Sequence, residues 1–245
     1  MNVLSNGMTI ELENGTKFHT LDDWNLALEN NNYIGEPELE TWYVNVPFRS
    51  GLLDFSEALS GRRIFKSRPL AFNLGGIRER VLWDNVISDL RNKIHGKKCK
   101  ITLDNDKDHY WYGRVYISDF DRIRELGRFT LNVPQADPYK YNILSSAEPW
   151  KWDPFNFING VITSIGEHII DGTEEVTLPR GYMEVSPEFV CAEALGLTLE
   201  ANGREYTLTN GSNRFPSLLV NGPYETKLTF TGKGRVSIVY RGGSL

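Results

Sequence analysis

Three aspartates at alternate positions, Asp104, Asp106 and Asp108 in "DNDKDH", have the spacing with which a calcium loop begins. Such a loop needs a glycine at its sharp turn and a bidentate glutamate at its end, and His109 and Val115 stand at those places. The stretch therefore reads as a solvated hairpin turn, and no metal is expected. The histidines His19, His95, His109 and His168 are scattered, without a paired or HExxH spacing. No Gly-x-Ser-x-Gly elbow presents a serine nucleophile, and no Gly-x-x-x-x-Gly-Lys loop cradles a phosphate. Carboxylates are plentiful, yet nothing marks two of them as a hydrolytic acid/base pair. Cys99 and Cys191 fit no redox or metal pattern, and Cys99 alternates with Ile101 and Leu103 as a small core residue does. Neither an enzyme nor a cofactor is expected.

Two aromatic stretches could bind instead of react. In "YWYGRVYI" alternation sends Trp111, Val115 and Ile117 to one side and Tyr110, Tyr112, Arg114 and Tyr116 to the other. A tyrosine-rich face with an arginine suits a protein interface or second core more than a base- or sugar-stacking platform, given the acidic chain. "EPWKWDPFNF" could present Trp150 and Trp152 to a glycan, although a linker clamped by aromatics is the plainer account.

Composition narrows the partners. A formal charge of −5 and a pI near 5.5 argue against nucleic acid as a binding partner, since phosphate contacts need clustered basic groups. No apolar run approaches the roughly 20 residues of a membrane helix. The first residues, "MNVLSNGMTIELENG", show no secretory signal, so synthesis in a reducing cytosol is expected.

The elements that must carry these residues are mostly strands. Met8, Ile10 and Leu12 alternate into an Asn-Gly turn, as in a hairpin. "TLDDWNLALENNNYIGEPELE" is polar and turn-rich. Trp42, Val44 and Val46 then alternate up to Pro47, and Leu70, Phe72 and Leu74 alternate in a later strand. One helix is expected in "RERVLWDNVISDLRNKIHGKK": Leu82, Val86, Leu90 and Ile94 form a stripe widened by Trp83 and Ile87, and Gly96 stands at the cap. "KCKITL", "YWYGRVYI" and "RFTLNV" follow as strands, the last with Phe129, Leu131 and Val133 inward. A Pro-rich break near residue 142 divides the chain into 1–142 and 143–245. The second part reads as all-β: a hairpin around Asn202-Gly203, then a strand pair around "GKG", in a sandwich or jelly roll.

Between two of the early strands lies "RSGLLDFSEALSGRRIFKS", half apolar and compact, the composition of a lid or a docking loop. With its flanks it resembles the N-terminal signature of siphophage distal tail (Dit) proteins of Gram-positive hosts and their prophages. That signature is a Gly-x-Leu-Asp-x-Ser-Glu-x-Leu-x-Gly type segment between strands. Gly51, Leu53, Asp54, Ser56, Glu57, Leu59 and Gly61 match it here. The order of elements downstream agrees, through "RFTLNVPQADPYKY" to the closing "KLTFTGKGRVSIVYRGGSL".

The resemblance implies a mainly β protein with one or two helices. Its N-terminal domain would be a tail-tube-like barrel or sandwich with a helix, and its C-terminal domain a galectin-like sandwich. It implies a non-enzymatic hub at the virion tail tip: a hexameric ring between the major tail tube protein and the tail-associated fibre or lysin protein. Receptor-binding proteins would be further partners, and DNA would only pass through. The residues expected at the seam are Leu52, Leu53, Phe55 and Leu59 with Asp54 and Glu57, and the basic Arg62 and Arg63 that follow. A carbohydrate- or receptor-binding module acting through the C-terminal sandwich is the alternative, with Trp150 and Trp152 as its glycan contacts.

Overall fold

The computed structural model describes residues 6–123, 125–147 and 166–245. Among them the chain is mainly antiparallel β, with two α-helices, α1 (Thr20–Trp24) and α2 (Trp83–Ile94), and a 3-10 turn, Arg80–Leu82. It divides into two units, Met1–Asp106 with Tyr110–Pro138, and Lys107–His109 with Tyr139–Leu245.

In the first unit, strands Lys17–His19, Met8–Leu12, Lys98–Leu103 and Asp106–Arg114 lie side by side in that order. A second sheet runs Tyr116–Ile123, Leu126–Ala136, Arg68–Ile77, with the two-residue strands Ala27–Leu28 and Tyr33–Ile34 on the last. Alternation buries Leu70, Phe72 and Leu74 against Phe129, Leu131 and Val133 of the neighbouring strand. Met8, Ile10, Cys99, Ile101 and Trp111 of the other sheet share this core.

Three expectations need correction here. "YWYGRVYI" is two strands: the chain breaks at Val115, whose N–H and C=O bond to Lys97 and Gly96, and passes from one sheet to the other. Alternation runs through the corner because Trp111, Val115 and Ile117 all face the shared core. In the helix, the buried face is Trp83, Ile87, Leu90 and Ile94; Leu82 is exposed in the 3-10 turn and Val86 sits at the margin. The polar stretch after residue 19 contains α1, which buries Trp24 and ties it to α2 by Nε1–H donating to Asp89 Oδ2 at 2.8 Å.

The second unit has its own core around one five-stranded antiparallel sheet. Strand Glu167–Leu178 pairs along its whole length with Thr226–Val239, which pairs in turn with Glu188–Ala201. The short strands Arg204–Thr207 and Gly211–Arg214 complete the sheet. The Asn202-Gly203 hairpin forms as expected, with φ of 53° and 71°. "GKG" is not a turn, however: it lies inside the continuous strand Thr226–Val239. Its Gly232, at φ 124°, lets Glu188–Ala201 bulge close by, since a Cβ there would stand 2.5 Å from the Gly196 carbonyl oxygen. The chain end, Gly243–Ser244, pairs with Lys140–Asn142, and buried Ser146 binds both the Ile238 carbonyl (2.7 Å) and the Tyr240 N–H (2.8 Å).

Candidate functional site: a two-stranded arm

The segment between Tyr33–Ile34 and Arg68–Ile77 leaves the sheet as an antiparallel ribbon. Its root is closed by Lys66 N–H to Glu38 O and Glu40 N–H to Ile64 O, both 2.8 Å, around a Leu39–Phe65 bridge. Farther out, Tyr43–Asn45 pairs with Leu52–Asp54, register Val44 to Leu53. The "RSG" that looks like a strand break is thus the hairpin tip, where Phe48 is fully exposed.

The motif residues build this arm. Asp54 Oδ1 accepts from both Ser56 N–H (2.9 Å) and Ser56 Oγ–H (2.5 Å), which holds its carboxyl below the ordinary aspartate range. Ser56 Oγ accepts the Trp42 N–H at 2.9 Å, and Phe55 N–H donates to Trp42 O at 2.8 Å, so the two strands are stitched side chain to backbone. The rings of Trp42 and Phe55 meet at 5.9 Å. Gly61 N–H closes a turn on Glu57 O at 2.7 Å, and Gly51 and Gly61 hold φ of 82° and 67°, conformations that a side chain would strain.

What the arm presents is apolar. Leu52, Phe55 and Leu59 are exposed, Leu53 is half-buried against Val44, and Trp42, Tyr43 and Ile64 add to the exposed surface. None of these residues belongs to the core of the first unit. Asp54, Glu57 and Arg63 are exposed on the same ribbon, and Arg62 is half-buried beside them. Arg68, two residues beyond the exposed Lys66, is no surface charge: it is buried on the core side of its strand. Sequence reading missed Phe48, Trp42 and Ile64 because Pro47 reads as a strand end; a hairpin was signalled only by the Gly51 turn between two apolar runs.

Other candidates disperse. Tyr112 donates to Glu13 Oε1 at 2.8 Å, a bond that pushes its phenol up to about 12, and Arg114 caps the Gly96 carbonyl at 2.5 Å. Tyr112 and Arg114 are therefore engaged within the chain. Asp104 accepts the Gly7 N–H at 2.7 Å and faces His19 Nε2 at 3.1 Å, and among the described residues no His, Cys, Asp and Glu group is arranged to hold a metal. Burial pushes the Cys99 thiol up to about 11, which makes it inert. Trp150 and Trp152 lie outside the described residues. No described helix is long and apolar enough to cross a membrane.

No family model matches the chain, and no curated protein sequence does. Among solved structures it is similar to the crystal structure of the SPP1 Dit (gp 19.1) protein, described as a paradigm of the hub adsorption apparatus in phages infecting Gram-positive bacteria. The TM-score is 0.59 at 12% identity, over 96% of this chain and 98% of that one. The likeness is one of fold.

Proposed function

We propose that the protein is a distal-tail hub: a structural component of a phage tail tip whose copies close into a hexameric ring. The ring would join the major tail tube protein to the tail-associated fibre or lysin protein and carry receptor-binding proteins where a tip has them. Residues 1–142 would build the ring and 143–245 a galectin-like domain, with DNA only passing through. The protein would be made in the host cytoplasm and end in the virion, with no catalytic role. The carrying observation is the fold shared with SPP1 Dit over 96% of the chain. The arm supports it independently. A ribbon that exposes Leu52, Phe55 and Leu59 outside any core is poorly suited to water and well suited to a neighbour's surface. Leu52, Leu53, Phe55 and Leu59 would anchor the seam, while Asp54, Glu57, Arg62 and Arg63 set its register. Sedimentation velocity with negative-stain imaging tests this: a six-fold ring is expected, and a monomer at every concentration overturns it.

A second reading, glycan or receptor binding through the second unit, has one feature in its favour. Tyr182 and Tyr224 are exposed on adjoining loops, held together by Gly181 N–H to Gly222 O (2.7 Å) and Asn221 Nδ2–H to Met183 O (2.8 Å). Stacking on sugar rings suits such a pair. Glycan-array binding abolished by Tyr182→Ala would favour it over the ring.

A further inference from the structure

The large apolar residues exposed on the first unit fall, apart from Tyr116, into two groups among the described residues. One is the arm with its root, between Tyr33 and Ile64. The other is Ile77, Val81, Leu82 and Ile123, exposed by 68%, 80%, 45% and 62%. This second group is built, not scattered. Ile123 pairs with Leu126 and Leu126 with Ile77, so the three form one row across three strands, on the face away from the core. The Arg78 N–H and the Trp83 indole N–H both donate to Glu125 O, at 3.1 and 3.0 Å. Those bonds fix the 3-10 turn, with Val81 and Leu82, beside the row.

The groups stand at opposite ends of the ten-residue strand Arg68–Ile77. Tyr33–Ile34 pairs with Ala71 and Leu70, and Gly35 N–H reaches Pro69 O at 2.8 Å, which places the arm's root at the Arg68 end. From Leu70 to Ile77, at about 3.3 Å per residue, the strand separates them by roughly 23 Å. We propose that the Ile77 end is the surface that receives the arm of the neighbouring copy, a proposal that rests on the ring reading above.

Three observations carry it. Contact of the arm of one copy with the Ile77 end of the next covers both groups with a single kind of interface, and repeated head to tail it can close a ring. The charges lean in complementary directions: "LLDFSEAL" at 52–59 carries Asp54 and Glu57 and no base, while at the receiving end Arg78, Arg122 and Arg128, the last paired with Glu29, outnumber Glu79 and Glu125. Both surfaces are also held in shape before they meet, the arm by Ser56 and the receiving end by the two bonds to Glu125 O, which lowers the ordering cost of docking.

Two single variants of the full chain, Leu59→Cys and Val81→Cys, test the pairing when mixed and treated with a short bismaleimide. The native thiols of Cys99 and Cys191 are buried, so the background is low. Expected is a crosslink that joins one variant to the other and is absent from either alone. Val81→Asp, at an exposed position, is expected to leave the fold intact by circular dichroism and to weaken self-association roughly tenfold or more. An assembled ring with no mixed crosslink, or with Leu59→Cys joined only to itself, overturns this seam and leaves the ring reading standing. A monomer under all conditions overturns both.

Discussion

The guanidinium of Arg68 lies 4.3 Å over the ring of Trp111, although Arg68 is only 4% exposed. Its Nη1 reaches the Gly35 carbonyl at 3.4 Å and its Nε has no hydrogen-bond partner; burial pulls its pKa below the ordinary value, against the opposing pull of Glu36. A buried cation on the strand where the arm begins serves as a strut between that strand, Trp111 and the arm's root. Arg68→Ala should lower stability by about 2 kcal/mol, through the lost stack and the space left behind. Urea titration measures it. Arg68→Lys, without the planar fork, should recover only part of the loss.

Ser56→Ala removes the hydroxyl that binds Asp54 and Trp42. The arm lies outside the core, so global stability should change by less than about 1 kcal/mol. The Trp42 amide should exchange faster in deuterium-exchange mass spectrometry, and any assembly through the arm should weaken. Equal exchange in both proteins would show that the stitch is ornamental.

The same contact sets a pH dependence. Asp54 titrates below its ordinary 3.8 because Ser56 favours the carboxylate. Its folded value is depressed, so the stabilisation is complete above the unfolded value and is lost as pH falls through the folded one. Arm protection should therefore be constant from neutral pH down to about 5 and fall only below the ordinary aspartate range. Asp54→Asn should flatten that acid limb.

Charge reversal tests the ring at its seam. Asp54→Lys with Glu57→Lys and Leu53→Ala should release monomers in sedimentation velocity while the strands of the first unit keep their exchange protection. An unchanged oligomer would remove the arm from the interface.

Gly232→Ala probes the second unit. The new methyl would press on the Gly196 carbonyl at a backbone angle that side chains rarely adopt, a strain of about 3 kcal/mol. Exchange should rise along Thr226–Val239 and its partners Glu167–Leu178 and Glu188–Ala201, and leave Phe72 and Leu131 of the first unit protected.

Where a residue's neighbours in sequence repeat its environment, the pattern is legible in the sequence. Phe129, Leu131 and Val133, or Leu70, Phe72 and Leu74, alternate because one flat face of one sheet buries them all. Legibility failed where the cause lies across the fold. Arg68 sits on the inward side of a strand because Trp111 takes its charge, and alternation counts an arginine as surface. The corner at Val115 is silent because both sheets turn the same side to one core. Gly232 reads as a turn because its reason, the bulge at Gly196, is more than thirty residues away. Leu82 fits the spacing of the helical stripe although the helix starts after it, so an exposed residue of the 3-10 turn looks in the sequence like part of a core face. The arm's motif was visible as residues; that Asp54 and Ser56 are its stitching was not.

A ribbon of two three-residue strands, with one aromatic contact and no core beneath it, has little stability of its own. The first unit can complete its core without it, so folding and arm ordering need not happen together. The Ser56 stitch settles part of the arm's ordering entropy within the single chain, and the remainder is settled when a second chain arrives, which makes assembly a bimolecular event that depends on concentration. Newly made subunits would stay dispersed while they are dilute and close abruptly once they accumulate. The timing of construction would be written into one thin hairpin, without a separate switch.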